Sequence, residues 1–163
     1  MGEIFDVKCG QCDYKFRTDV GHGLRGCGFF ETNPETNKPY YYDYIRSKKI
    51  IADINNIVET QNDVEEDAYA HRKQWHGHGS AQYFCRKCRK LHNKFYFKLV
   101  LLGGTYEPIY SCSKCRNKLI LVELMSDKNE QIIIKFGQDI INWQCPKCDN
   151  NKLIFGNYSV LYD

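Results

Sequence analysis

The chain has 163 residues, of which 42% are hydrophobic, and a formal net charge of +3. This hydrophobic content excludes wholesale disorder, and four prolines with twelve glycines exclude collagen-like or proline-rich sequence. The longest aliphatic runs, residues 99–102 and 119–122, are too short to span a membrane. The first residues lack the basic and apolar regions of a signal peptide, so we expect a cytoplasmic protein without membrane association.

The first predicted element is a hairpin that carries two cysteines in its turn. Residues 4–7 and 14–18 have the composition of short strands, and Cys9 and Cys12 lie between them. Four glycines follow within residues 21–28 and predict a flexible loop. We therefore treat residues 1–30 as an N-terminal segment made of a zinc knuckle and a glycine-rich loop.

The middle segment, residues 31–80, is predicted to hold the one helix of the chain. An aromatic stretch at residues 40–44 precedes it, and Asp43 and Ser47 are candidate caps. The helix is predicted to continue through the acidic stretch at residues 59–67. Apolar residues recur at helical spacing at Ile50, Ile51, Ile54, Ile57 and Val58.

The last segment, residues 81–163, is predicted to be a zinc-ribbon region built from β-strands. Apolar residues alternate with polar ones over residues 95–101, and two glycines at 103–104 predict a hairpin turn. Further strands are predicted at residues 118–125, 131–136, 153–155 and 158–161. The predicted fold class is α+β with mainly short antiparallel strands, two four-cysteine zinc-ribbon-like sites and one helical insertion. The three segments are expected to form one compact unit.

Eight of the nine cysteines form four C-x-x-C pairs, a spacing that lets two sulfurs on one turn bind the same ion. In a reducing compartment such thiolates bind metal rather than each other. Eight cysteines at four per ion predict two Zn²⁺ per chain. We expect both ions to be structural, since four sulfur ligands leave no open position for a substrate. An enzyme is therefore disfavoured. The predicted ligands are Cys9, Cys12, Cys85, Cys88, Cys112, Cys115, Cys145 and Cys148.

The spacing leaves open which pairs share an ion. We favour one site of Cys85, Cys88, Cys112 and Cys115, because 23 residues separate the two pairs and hold strands with a Gly-Gly turn. The first and last pairs then form the other site and join the two ends of the chain. A sequential pairing and a cross-braced pairing are the alternatives. Iron takes the same four-sulfur geometry as zinc.

The charge distribution predicts a contact with nucleic acid. Eight thiolates and two Zn²⁺ would bring the formal charge from +3 to about −1, but residues 68–106 hold eight basic residues and no acidic one. Such cations contact phosphates, or they offset the negative charge of the zinc site. The alternative function is a protein-interaction adaptor that uses residues 40–58. The candidate nucleic-acid contacts are Arg86, Lys87, Arg89, Lys90 and Lys94.

Three weaker patterns concern other sites. Residues 21–26 match the G-x-G-x-x-G nucleotide motif by letter, but no helix is predicted after them. Cys27 with His22 is a remote candidate for a nucleophile and its base. Three histidines before the second knuckle are either a third metal site or solvated side chains; they are His71, His76 and His78.

The knuckles resemble those of the zinc-ribbon superfamily at residues 84–88, 111–117 and 144–150. The opening residues 4–12 are similar, more loosely, to small bacterial zinc-ribbon proteins that pair an N-terminal knuckle with a C-terminal ribbon. The resemblance implies a fold and a metal but no activity. Arg116 and Asp149 stand where a glycine often follows such a knuckle, so we expect those turns to be less tight.

Overall fold

A computed structural model describes residues 2–21, 28–61, 64–66 and 78–161, and strands dominate it, with 46% strand against 13% helix. The strands are β1 (Gly2–Cys9), β2 (Lys15–Gly21), β3 (Thr32–Asn33), β4 (Lys38–Pro39), β5 (Glu65–Glu66), β6 (Gly79–Cys85), β7 (Lys90–Tyr96), β8 (Leu99–Leu101), β9 (Gly104–Tyr106), β10 (Ile120–Ser126), β11 (Ile132–Phe136), β12 (Asp139–Asn142) and β13 (Leu153–Leu161). The helices are α1 (Tyr41–Tyr44) and α2 (Lys48–Thr60).

Eight of these strands form one antiparallel sheet. Seven follow the order β12-β11-β10-β6-β2-β1-β13, and β7 pairs with β6 beside this path. β11 and β13 are far apart in that order, yet they contact each other, so the sheet is curled into a half-barrel. The first strand thus lies between its hairpin partner β2 and the last strand β13.

The predicted fold class is wrong. Instead of an α+β protein of short strands around separate ribbons, the chain forms a mostly β structure with one large curled sheet. The local patterns located many of the strands, but they carry no information on which distant strands pair. β1 and β13 are eight and nine residues long and come from opposite ends of the chain.

The concave side of the curled sheet holds a first core. Alternate residues of β1, β6, β11 and β13 point inward, as the two-residue period of strands requires. Trp143, which is only 1% exposed, packs among them. Other members of the first core are Phe5, Val7, Phe84, Leu91, Ile134 and Leu153.

A second core lies between the helices and the small sheet of β5, β8 and β9. Ile50 and Ile54 of α2 pack against Phe97 and Leu99. The apolar face of α2, which the adaptor hypothesis assigned to a partner, therefore lies largely in this core. Among the described residues, no helix is long and apolar enough to cross a membrane.

Helix α2 begins and ends with identifiable signals. The side chain of Ser47 accepts a hydrogen bond from the backbone N–H of Ile50 at 3.4 Å, which makes Ser47 rather than Asp43 the N-cap. The helix ends at Thr60, and Glu65 with Glu66 forms β5. The predicted continuation of the helix through the acidic stretch is therefore wrong.

A group of polar side chains fills a gap between β2 and β6. Strand β6 pairs with β7 along one edge and with both β10 and β2 along its other edge. The pairing of β2 with β6 consists of one residue pair, Gly21 and Ser80. Beyond that pair, Gln82 Nε2 donates to Thr18 Oγ1 at 3.0 Å, and Thr18 Oγ1 donates to Asn93 Oδ1 at 2.5 Å. These side chains link strands whose backbones have separated.

Replacing the fully buried Thr18 by valine is expected to destabilise the protein by about 1–3 kcal/mol, because Asn93 Oδ1 would lose its donor and the buried Gln82 Nε2 one of its acceptors. Denaturant unfolding measures this change. Thr105→Val, at an exposed position of β9, is the matched control and should change stability by less than about 0.5 kcal/mol. Equal unfolding midpoints for the two variants would contradict the role of the polar group.

Candidate metal centres

The C-x-x-C pairs lie on turns of closely similar geometry. In three of them, the residue after the second cysteine has a positive φ, and its N–H donates to the carbonyl of the first cysteine. These residues are Arg89, Arg116 and Asp149, with φ of 54°, 62° and 59° and N···O distances of 2.7, 2.9 and 2.9 Å. The looser turns expected after the third and fourth pairs are not seen, because an arginine and an aspartate adopt the left-handed conformation that glycine favours.

The first cysteine group joins the two ends of the curled sheet. Cys9 ends β1, and Cys145 and Cys148 lie on the connection between β12 and β13. All four sulfurs, including that of Cys12, lie within 4.8 Å of one another. The Sγ atoms of Cys9 and Cys148 are 3.6 Å apart, as are those of Cys12 and Cys145.

Contacts outside the sulfurs hold the two turns of the first group together. The N–H of Gly10 donates to the carbonyl of Lys152 at 2.7 Å. The ammonium group of Lys147 forms an ion pair with the carboxylate of Asp13. Asp13 raises the pKa of Lys147, and Lys147 lowers the pKa of Asp13. Each turn therefore contributes both ligands and supporting contacts.

The second cysteine group lies at the end of β6, beside a third core made of Ala81, Tyr83, Cys85, Tyr96, Cys112 and Leu119. Its four sulfurs belong to Cys85, Cys88, Cys112 and Cys115 and also lie within 4.8 Å of one another. Cys85 Sγ is 3.4 Å from Cys115 Sγ, and Cys88 Sγ is 3.9 Å from Cys112 Sγ. The structure thus groups the cysteines in the arrangement that we favoured from the sequence, not in the sequential or cross-braced one.

The sulfur separations fit a metal ion and do not fit disulfides. A disulfide needs an S–S distance of about 2.05 Å, whereas the separations here are 3.4–3.9 Å and all eight thiols are free. Four sulfurs at the Zn–S distance of about 2.3 Å in a tetrahedron would be about 3.8 Å apart. Each group could therefore hold one ion at its centre with little rearrangement.

Backbone N–H groups point at several of the sulfurs. In the first group, the N–H of Gln11 donates to Cys9 Sγ at 3.4 Å. Burial raises the pKa of Cys9, but the N–H groups of Gln11 and Cys12 outweigh it and bring the pKa to about 7. In the second group, the N–H groups of Cys115 and Lys114 bring the pKa of Cys112 to about 6. The N–H groups near Cys9 and Cys112 thus favour the thiolate form, which is the form that binds a metal ion.

A direct link between the two groups runs through Arg89, which follows Cys88. The indole Nε1 of Trp143 donates to the carbonyl of Arg89 at 2.9 Å. The guanidinium of Arg89 donates to Gln144 Oε1 at 2.8 Å and pairs with Asp149. Gln144 and Asp149 flank the knuckle of the first group, so one arginine contacts both centres. Sequence reasoning did not identify Trp143 as part of the site. Its position two residues before Cys145 was the signal that could have indicated it.

The candidate nucleic-acid contacts are distributed over different environments. Arg86 lies 4.0 Å from the carboxylate of Asp139 and over the ring of Phe136. Arg89 is held by the contacts described above, and Lys94 lies over the ring of Tyr110 at 5.8 Å. Lys87 and Lys90 are exposed.

Several other sequence-predicted residues lie outside the described residues. They are Cys27, His22, His71 and His76, and the G-x-G-x-x-G pattern lies there almost entirely. His78 is described and is fully buried, with its ring 5.5 Å from Phe29 and 5.6 Å from Phe95. The predicted third metal site and the Cys27/His22 site therefore stay predictions.

The two cysteine groups are the features from which a function can be inferred. The resemblance to zinc ribbons rests on the knuckle residues themselves and stays a prediction. Comparisons of the chain with protein-family models, with curated proteins and with solved structures give no match.

Proposed function

We propose that the protein is a non-catalytic module that binds two Zn²⁺ ions, one in each cysteine group, as structural ions. The observation that supports this most strongly is the spacing of the sulfurs: in each group all four lie within 4.8 Å of one another, and two separations per group are 3.4–3.9 Å, close to the edge of a tetrahedral four-sulfur site. Within each group, four ionised sulfurs at these distances would repel one another. A divalent ion at the centre of the group would offset that repulsion.

Four sulfur ligands favour a structural role over a catalytic one. Catalytic zinc sites keep one coordination position for water or substrate, whereas four-cysteine sites fill all of them. The first ion would join β1 to the connection before β13, and the second would join β6 to the connection before β10. Both would therefore stabilise contacts between strands far apart in sequence.

A nucleic-acid interface at the second knuckle is not part of the proposed function. Two of its five candidate contacts, Arg86 and Arg89, are near carboxylates of the same chain. Their charge is thereby partly offset. Lys87 and Lys90 are exposed and form no ion pair with the described residues, and two lysines supply little of the phosphate affinity of a typical nucleic-acid-binding surface. A protein partner likewise stays a prediction.

Metal analysis of the purified protein is expected to find two zinc ions per chain, because two four-sulfur groups are present. Replacement by cobalt should give the intense visible absorption of tetrahedral thiolate coordination, which distinguishes these sites from six-coordinate oxygen sites. Iron in place of zinc would show a red colour and redox activity. One ion per chain, or none after purification without chelators, would contradict the proposal.

A further inference from the structure

A cavity of about 530 Å³ lies between the segment joining α1 to α2 and strand β7, and none of the described residues that line it is a cysteine. Its volume falls within the range of about 300–1,000 Å³ that is usual for small-molecule sites. Ile45 and Ser47 line one side, and Asn93 and Phe95 line the other. The site therefore depends on helical and sheet elements that are both packed into cores.

The lining is cationic. Arg46 and Lys94 contribute basic side chains from different elements, and none of the described residues that line the cavity is acidic. The nearby carboxylate of Asp19 accepts a hydrogen bond from Asn93 Nδ2 at 2.9 Å. Two positive charges beside one cavity favour an anionic ligand, and both groups donate well to phosphate oxygens.

Hydroxyl groups add donors to the same cavity. Ser47 and Ser80 both line it. The Oγ of Ser47 already accepts from the N–H of Ile50 at 3.4 Å, so its own hydrogen is directed to another acceptor. Such an arrangement complements a ligand with several acceptor oxygens.

Aromatic rings form the remaining walls. Tyr44 and Phe95 stack on each other with centroids 4.9 Å apart, and both line the cavity. Tyr110 also lines the cavity; its hydroxyl donates to the carbonyl of Phe95 at 2.6 Å, and its ring contacts the ammonium of Lys94. A planar ring stacks favourably on such side chains.

We propose that this cavity binds a small phosphorylated molecule that carries a planar heterocycle, of about the size of a nucleoside monophosphate. Arg46 and Lys94 would bind the phosphate, with Ser47 as a further donor. Tyr44 or Tyr110 would contact the ring. The cavity shares no lining residue with the two cysteine groups, so a failure of this proposal would leave the proposed function intact.

Calorimetric titration of the metal-loaded full chain with adenosine monophosphate tests the proposal. Adenosine and inorganic phosphate serve as separate probes of ring and phosphate. Adenosine monophosphate should bind saturably at millimolar concentration or below, and about tenfold more tightly than either probe. The absence of saturable binding, or equal affinity for either probe, would overturn the proposal.

Charge variants locate the site. Arg46→Gln and Lys94→Gln should each weaken binding of adenosine monophosphate about tenfold or more, because each removes a charged donor. Lys94→Arg keeps the positive charge and should retain binding, which ties the loss expected for Lys94→Gln to that charge. Lys90→Gln changes the same residue type on the same strand outside the cavity and should bind like the original protein. Binding unaffected by Arg46→Gln, or weakened equally by Lys90→Gln, would refute the assignment.

Discussion

Replacing Cys85 by serine is expected to remove one metal ion per chain and to unfold the third core. Cys85 is fully buried, and its sulfur lies 3.4 Å from that of Cys115. Zinc binding is worth about 10–16 kcal/mol in zinc-finger peptides, against about 5–15 kcal/mol for the whole stability of a typical domain. A hydroxyl cannot replace the thiolate, so strands β6, β7 and β10 should lose protection from hydrogen exchange while metal analysis reports a single ion.

Cys27→Ser is the matched control, since it makes the same change at the one cysteine outside the four C-x-x-C pairs. We expect this variant to keep two ions per chain and its unfolding midpoint. If Cys85→Ser also kept both ions, the second group would not be a metal centre. Loss of an ion from Cys27→Ser would instead show that the ligand sets are drawn wrongly.

The second large effect is expected for Trp143→Ala. Trp143 is 1% exposed, packs against Phe84 and Tyr14, and donates to the carbonyl of Arg89. Truncation of a buried tryptophan costs about 3–5 kcal/mol. Because Trp143 contacts elements of both knuckles, a chelator should also extract both ions faster from this variant. Chemical denaturation and the rate of metal transfer to a coloured chelator measure the two effects.

Two further variants separate the causes of that loss. Trp143→Phe keeps most of the apolar volume but leaves the Arg89 carbonyl without its donor, so a smaller loss of about 1–3 kcal/mol is expected. Phe136→Ala removes an aromatic ring that is 38% exposed and should cost less than either. If Trp143→Ala were no more destabilising than Phe136→Ala, Trp143 would not organise the centres.

The sequence predicted the knuckles well because each is a local feature. Two cysteines three residues apart bring their sulfurs together on one turn, whatever the rest of the chain does. Cys12 and Cys145 are 133 residues apart in sequence, and their sulfurs come together because β1 pairs with β13. The grouping was therefore a preference among three possibilities until the strand order was known.

The shape of the sheet could not be predicted from local patterns. Residues 153–155 and 158–161 were predicted as separate strands, with Gly156 and Asn157 between them. They form one strand instead, whose pairing with β1 shifts register between Phe5 and Val7, opposite Gly156 and Asn157. The Gly-Asn pair therefore marks an irregularity within the strand rather than a reversal of the chain. Similarly, the partner of Arg89 is Asp149, 60 residues away, which no local charge pattern indicates.

The joining of the first and last strands also fixes the order in which the centres are completed as the chain is synthesised. The second group spans 30 residues from Cys85 to Cys115, whereas the first spans 139 from Cys9 to Cys148. Closing the longer span costs about 1 kcal/mol more in chain entropy. On the ribosome, Cys9 and Cys12 have no partners until Cys145 and Cys148 are synthesised, whereas the second group is complete earlier. During that interval the first knuckle holds half of a ligand set and is open to oxidation, so its correct assembly depends on a reducing environment until the fourth knuckle emerges.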